Sequence, residues 1–166
     1  MRERNLSAAR SPEGMLIDRR RLSAHAVTGR GQTLISGNLD AGLGALAAGA
    51  PMLGLYGLVC EGPHALRIAR DRALLVTEAP LAVADGWRDG WCATAVDDGW
   101  AIVDVEGDDA PLALMQATGA DLSVNSPSAA LRVVGLNALL VRTASGFRLH
   151  VERTWLEALL SWLDGA

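Results

Sequence analysis

The order of short apolar segments after residue 90 is the strongest constraint on how this chain folds. Strand-like runs at 91–96 and 100–105 flank Asp97-Asp98-Gly99, a turn sequence in which glycine supplies positive φ, so we interpret 91–105 as a hairpin. A helix follows, with Pro111 in its first turn and Gly119 as its stop. Three more strand-like runs come next, at 131–134, 138–142 and 147–151.

The last segment predicts an amphipathic helix. Thr154 is followed three residues later by Glu157, the spacing of a capping box. The apolar stripe consists of Trp155, Leu159, Trp162 and Leu163, widened by Leu156 and Leu160. The order from residue 91 is therefore β-β-α-β-β-β-α, which predicts an α+β fold with an antiparallel sheet and helices packed on one face.

The first half contains two misleading patterns. Residues 41–60 carry no charge, but five glycines and the central Pro51 favour a short helix, capped by Asn38 or Asp40, over a membrane span. Gly42-x-Gly44 followed by Glu61 imitates a dinucleotide fingerprint, yet no buried strand runs directly into the first glycine. Beyond these, 65–69 and 73–77 read as two strands around a polar turn.

Charge divides the 166 residues into a basic N-terminal arm, 1–30, and a single α+β domain, 31–166. The arm has seven arginines against three acidic residues, and the rest has eight arginines against sixteen acidic residues. An acidic body repels polyanions, so we expect no nucleic-acid partner. The chain has no lysine, which excludes Schiff-base chemistry and a P-loop lysine.

Asp-Gly-Trp occurs three times between residues 85 and 100, at unequal spacings, so it is not a periodic repeat. Asp-Gly is turn chemistry, and in the second and third copies the tryptophan opens a strand. Exposed tryptophans mark interface centres or stack on flat ligands. We expect a partner interface at Trp87, Trp91 and Trp155, with Arg19, Arg20 and Arg21 as an electrostatic arm.

The chain's reactive residues do not form a recognisable catalytic set. Cys60 and Cys92 lack metal-ligand spacing and read as reduced thiols of a cytoplasmic protein without a secretory signal. The acidic candidates are Asp104, Glu106 and Asp121. Strand parity turns Asp104 away from the valines, and His150 is expected on the polar side of its strand. We predict no catalytic residue, bound cofactor or metal on this chain.

The second half carries an ordered set of motifs. Gly-Asp-Asp-Ala at 107–110 precedes the short helix, and Asp121-Leu122 follows it. Gly-Phe-Arg-Leu-x-Val fills 146–151, and Arg153-Thr154-Trp155 opens the last helix, with Trp162-Leu163 near its end. This set resembles the gamma subunit of heterotetrameric sarcosine oxidase, in the folate-binding fold family of the glycine-cleavage T protein. The similarity is good over about 90–166 and weaker over about 31–90. Where family members carry tryptophan in the segment matching 70–75, this chain has Ala73.

The resemblance implies a ferredoxin-like or folate-binding-domain-like fold and a non-catalytic role. In such complexes the other subunits hold FAD, FMN, NAD and tetrahydrofolate, and the gamma subunit packs against the large alpha subunit, beside beta and delta subunits. The chain would then serve a flavin-dependent oxidoreductase of N-methyl amino acids or amines.

Two alternatives remain open from the sequence. One is a stand-alone folate-binding or aminomethyltransferase-like protein of the same fold. The other is a small-ligand-binding regulatory α+β module that uses its tryptophans.

Overall fold

The computed structural model describes residues 14–18, 21–59, 61–121 and 124–165. Its strands are β1 Gly14–Asp18, β2 Ser23–Val27, β3 Gly31–Gly37, β4 Met52–Leu53, β5 His64–Ala69, β6 Arg72–Thr77, β7 Trp91–Ala95, β8 Trp100–Glu106, β9 Ala130–Val133, β10 Leu136–Arg142 and β11 Gly146–Glu152. Its helices are α1 Leu39–Leu46, α2 Ala110–Thr118 and α3 Leu156–Gly165, the last preceded by a 3-10 turn, Arg153–Trp155.

The strands form two sheets. Sheet A is antiparallel, with the order β1-β2-β8-β11-β10-β9, and sheet B has the order β4-β5-β6-β3-β7. Sheet B is antiparallel except for the short parallel pair β4–β5. Sheet B is built from residues 31–95, whereas sheet A combines residues 14–27 with residues 100–152. The chain therefore completes sheet B between the second and third strands of sheet A.

The sheets pack face to face, and the helices cover their outer sides. The layer between the sheets is apolar at its centre, where it contains Leu66, Leu74, Val76, Ala129, Leu139 and Val141. The outer side of sheet B packs on α1 through Ile35, Leu39 and Leu43. The outer side of sheet A packs on α2 and α3 through residues such as Val103 and Leu149. The result is four layers, helix, sheet, sheet and helix.

The predicted α+β class is confirmed, but the number of sheets differs from the prediction. One sheet with helices on one face was expected, and two sheets with helices on both outer faces are observed. The predicted hairpin over 91–105 is wrong, because β7 pairs with β3 in sheet B and β8 pairs with β2 and β11 in sheet A. Residues 97–99 form a corner that carries the chain from one layer to the other.

The N-terminal arm also differs from its prediction. Gly14–Asp18 and Ser23–Val27, assigned to a basic arm by charge, are paired strands, and β2 continues into sheet A by pairing with β8. Residues 1–13 of that arm lie outside the described residues. Neither strand contains an arginine, and Arg21 and Arg30 are the arginines of this segment that the structure describes. Ala24 of β2 is fully buried in the core of sheet A.

The helices agree with the sequence in position and differ in detail at their ends. The Asn38 side chain accepts from the backbone N–H of Ala41, so Asn38 caps α1 as expected. Gly119 closes α2 in the left-handed conformation. The capping box at Thr154 is not used as predicted, because Thr154 lies inside the 3-10 turn before α3. No described helix is long and apolar enough to cross a membrane.

Candidate functional site

The three tryptophans expected at an interface have different environments. Trp87 is 67% exposed and Trp155 is 48% exposed, so both can give area to a partner. Trp91 is only 3% exposed and packs under α1 in the core of sheet B, with the Arg88 guanidinium 4.8 Å from its ring centroid. Trp91 is therefore a core residue in this structure, and its side chain has almost no surface left for an interface.

Trp87 and Trp155 do not share one patch. Trp87 lies at the Gly37 end of β3, where its ring is 2.7 Å from the place of a Cβ on Gly37. Trp155 follows Arg153, which bonds the corner at 97–100, and that corner touches the opposite end of β3 through Gln32. Five residues of strand separate the two ends of β3 by about 17 Å. Trp87 and Trp155 are therefore two separate candidate contact points.

Of the three arginines in the expected electrostatic arm, the structure describes one. Arg21 is exposed and lies 3.3 Å from Oδ1 of Asp109 and 3.9 Å from Oδ2 of Asp108, beside the N-terminus of α2. Its charge is thus partly matched within the chain. Arg19 and Arg20 lie outside the described residues.

The sequence reading missed an exposed apolar surface on α2. Leu112 and Met115 are exposed, and α2 buries Ala110, Ala113, Leu114 and Ala117 instead. The helix carries no charged residue from 110 to 118. The missed signal was the spacing of the alanines, which leaves Leu112 and Met115 one turn apart on the opposite side.

A polar contact joins the two sheets in the interior. Nε2 of Gln32 donates to the carbonyl of Trp100 at 3.2 Å, which leaves Oε1 of Gln32 as the acceptor. Nδ1 of His150 lies 3.1 Å from that oxygen, so this network assigns the imidazole proton to Nδ1. His150 is fully buried, which corrects the expectation that it faces the polar side. Its strand face is the inner one, which sheet B covers.

Burial also sets the ionisation of the interior histidines. Desolvation, with the charge of Arg148 next, lowers the pKa of His150 to about 3. Burial lowers the pKa of His64 as well, although the contact of its Nδ1 with the Gly62 carbonyl at 3.1 Å acts in the opposite direction. Nε2 of each histidine is buried and has no hydrogen-bond partner among the described residues. Both imidazoles are therefore neutral at physiological pH.

The acidic candidates are not arranged as a reaction centre. Asp104 receives two hydrogen bonds from Arg148, Nε and one terminal nitrogen each at 2.7 Å, and the two side chains are 16% and 12% exposed. Glu106, the last residue of β8, accepts from the hydroxyl of Ser145. Asp121 is exposed after α2. The described residues contain no group of three potential ligands that could hold a metal ion.

The fingerprint-like glycines do not build a phosphate-binding loop. Gly42 and Gly44 lie inside α1 rather than at the junction of a strand and a helix. Gly42 faces Ile35 and the Trp91 ring, where an added Cβ would lie 2.7 Å from the Ile35 methyl. The glycine at 42 therefore serves helix packing, and these residues do not fit a dinucleotide.

Face-to-face sheets with helices on both outer sides define the class, an α+β sandwich. The same fold occurs in a chain of heterotetrameric sarcosine oxidase from Corynebacterium sp. U-96, solved in complex with pyrrole 2-carboxylate. The two chains are 21% identical with a TM-score of 0.70, and the match covers 95% of this chain and 87% of that chain. No family model and no curated protein matches the sequence. The resemblance seen in the motifs is confirmed at the level of fold.

Proposed function

We propose that this chain is a non-catalytic, gamma-type subunit of a heteromeric sarcosine oxidase-like complex, a flavin-dependent oxidoreductase of N-methyl amino acids or amines. The observation that carries the proposal is the two-way coverage of the structural match, 95% and 87%. Such coverage means that the two chains have similar lengths. This similarity in length supports a small subunit over one domain of a large flavin-binding chain.

The chemistry of the described residues supports a role in assembly. The groups with displaced pKa values, His150, His64 and Tyr56, are buried within the sandwich, and burial is the largest cause of each displacement. Asp104 is committed to Arg148. Groups that are buried in packing stabilise a fold, whereas acid–base catalysis needs a titratable group within hydrogen-bond reach of a substrate.

We assign the partner surface to the exposed tryptophans, Trp87 and Trp155, with Arg19, Arg20 and Arg21 contributing charge. Large aromatic side chains with more than half or nearly half of their surface exposed are typical anchors of interfaces. The proposal places this chain against a large alpha subunit, in a cytoplasmic complex with beta and delta subunits. FAD, FMN, NAD and tetrahydrofolate belong to the partner subunits in this proposal.

Co-expression with the cognate large subunits tests the proposal. We expect a yellow complex that contains this chain, and we expect omission of this chain to lower the yield and thermal stability of the flavoprotein. Oxidation of sarcosine should be found in the complex and not in this chain alone. Turnover by the isolated chain, or assembly of a fully stable complex without it, contradicts the proposal.

A titration of the isolated chain with tetrahydrofolate separates this proposal from a stand-alone folate-binding function. Five tryptophans make the intrinsic fluorescence a sensitive reporter. We expect no saturable change up to millimolar ligand. A saturable change in the micromolar range favours the stand-alone function instead.

A further inference from the structure

One end of the layer between the sheets is polar and open. Trp100, Glu152, Asn137 and Arg132 form a row across four neighbouring strands of sheet A, because Trp100 pairs with Glu152 and Asn137 pairs with Arg132. The register of β10 with β11 places Asn137 next to Glu152. The next row inward contains His150 and Leu139, which are buried. The space between the sheets is therefore filled at the row that contains His150 and Leu139, and it is open to solvent at the outer row.

The opening is a groove between the two sheets with a volume of about 610 Å³. Sheet B contributes Leu34, Ile68 and Arg72 to its lining, opposite the row on sheet A. Leu34, Ile68 and Trp100 are partly buried apolar side chains that form its walls. A cleft of this size is in the usual range for small-molecule sites, roughly 300–1,000 Å³.

The charges at the mouth of the groove favour an anion. Arg72 and Arg132 are exposed, and the guanidinium of neither has a hydrogen bond or ion pair with another described residue. Glu152 is the one acidic residue in the lining, and two strand spacings, about 10 Å, separate it from Arg132. The lining is therefore net positive, although the whole chain has a net charge of −4.

We propose that this inter-sheet groove is a binding site for a small amphipathic monocarboxylate. The apolar body of the ligand packs against Leu34, Ile68 and Trp100, and its carboxylate is held by Arg72 and Arg132, since guanidinium groups match carboxylate geometry. Glu152 lies toward the other end of the row and repels a second carboxylate. The site therefore selects monocarboxylates over dicarboxylates, independently of the subunit role proposed above.

Isothermal titration of the full chain with hexanoate, 1-hexanol and adipate tests this assignment, because the three probes share a six-carbon body and differ in charge. We expect hexanoate to bind at least tenfold more tightly than 1-hexanol and adipate. Arg72→Gln and Arg132→Gln should each weaken hexanoate binding about tenfold, the loss expected for one charge-assisted contact. Glu152→Gln should tighten adipate binding and bring it close to that of hexanoate.

Arg70→Gln is the matched control, since Arg70 is an exposed arginine on the same β5–β6 hairpin but does not line the groove. It should bind hexanoate like the unmodified chain. Circular dichroism melting of every variant separates a lost contact from a lost fold. Equal binding of hexanoate and 1-hexanol, unchanged binding in both arginine variants, or no binding up to 10 mM hexanoate (about the weakest affinity useful for a small ligand) overturns the assignment.

Discussion

Nδ1 of His150 donates to Oε1 of Gln32 at 3.1 Å, and this bond connects β11 of sheet A with β3 of sheet B through the interior. Gln32 is itself fixed at both ends, because its backbone N–H donates to Oδ1 of Asp97 at 2.6 Å and its amide nitrogen donates to Trp100. Gln32 of sheet B therefore bonds both to sheet A, through His150, and to the corner between the sheets, through Asp97 and Trp100. A charged imidazole at position 150 would bury a cation in that layer.

The first prediction is that acid destabilises the fold through His150. Its pKa in the folded chain is about 3, below the value of about 6.5 in an unfolded chain, so the unfolded state binds more protons between those values. The free energy of unfolding should fall as pH decreases from about 6.5 toward 3, by on the order of 4 kcal/mol from this group. Urea unfolding at a series of pH values measures it.

His150→Gln should reduce that pH dependence, since glutamine keeps a donor but does not titrate. The contribution of His64, whose pKa burial also lowers, remains. His25→Gln is the control, because His25 is half-buried on β2 and contacts Ser23 rather than sheet B. It should keep the slope of the unmodified chain. An unchanged slope in His150→Gln contradicts the prediction.

A second prediction concerns the pair Arg148–Asp104 on the inner face of sheet A. Arg148→Met leaves a largely buried carboxylate without its partner, so we expect a loss of about 2–4 kcal/mol in the free energy of unfolding. Arg148→Met combined with Asp104→Asn should recover part of that loss. The exposed pair Arg21–Asp109 is the comparison, and its double-mutant cycle should give a coupling below about 1 kcal/mol.

Alanine substitutions at Trp91 and Trp87 should have different effects, the first on the stability of the fold and the second on association with the partner. Trp91→Ala removes a buried ring from the contact of α1 with sheet B, and we expect it to cost about 3–5 kcal/mol in chemical unfolding. Trp87→Ala should leave that free energy within about 0.5 kcal/mol. It should weaken capture by the cognate large subunit at least tenfold, as for an interface anchor. Equal capture of Trp87→Ala and unmodified chain would remove Trp87 from the partner surface.

Two glycines in α1 give a matched pair for the fourth prediction. Alanine has the higher helix propensity, so Gly44→Ala, at a position with open space, should raise the free energy of unfolding by about 0.5–1 kcal/mol. Gly42→Ala places a methyl group against Ile35 and Trp91, and we expect a loss of about 1–3 kcal/mol. Thermal melts of both variants compare the two. If both substitutions raise the melting temperature, the contact at Gly42 relaxes at little cost in free energy.

Local sequence signals located most elements of the fold. Pro111 and Gly119 bracket α2 as expected, and Asn38 caps α1. The number of sheets was not visible, because a turn sequence such as Asp97-Asp98-Gly99 serves equally well between paired strands and between stacked layers. The choice depends on partners far along the chain: β7 pairs with residues 33–37, and β8 with residues 23–27 and 146–152.

The candidate sites were harder to predict for a related reason. Alternation along β11 correctly separates His150 from its neighbours Leu149 and Val151, but it cannot tell a polar face from one that a second sheet covers. The groove at Arg72 and Arg132 combines residues 60 positions apart, and no local motif marks it. Trp91 and Trp87 look alike in sequence, and only the packing of α1 distinguishes them.

The corner at residues 97–100 is held by hydrogen bonds from Arg153, which lies just before α3. The Arg153 side chain donates to the carbonyls of Asp98 at 2.7 Å and Trp100 at 3.3 Å, and its backbone N–H donates to Gly99. Sheet B is formed by one continuous stretch of the chain, whereas sheet A contains strands that precede that stretch and strands that follow it. During translation we therefore expect sheet B to form on the emerging chain first. We expect the contacts of Arg153 with the corner to form after residue 153 has emerged from the ribosome.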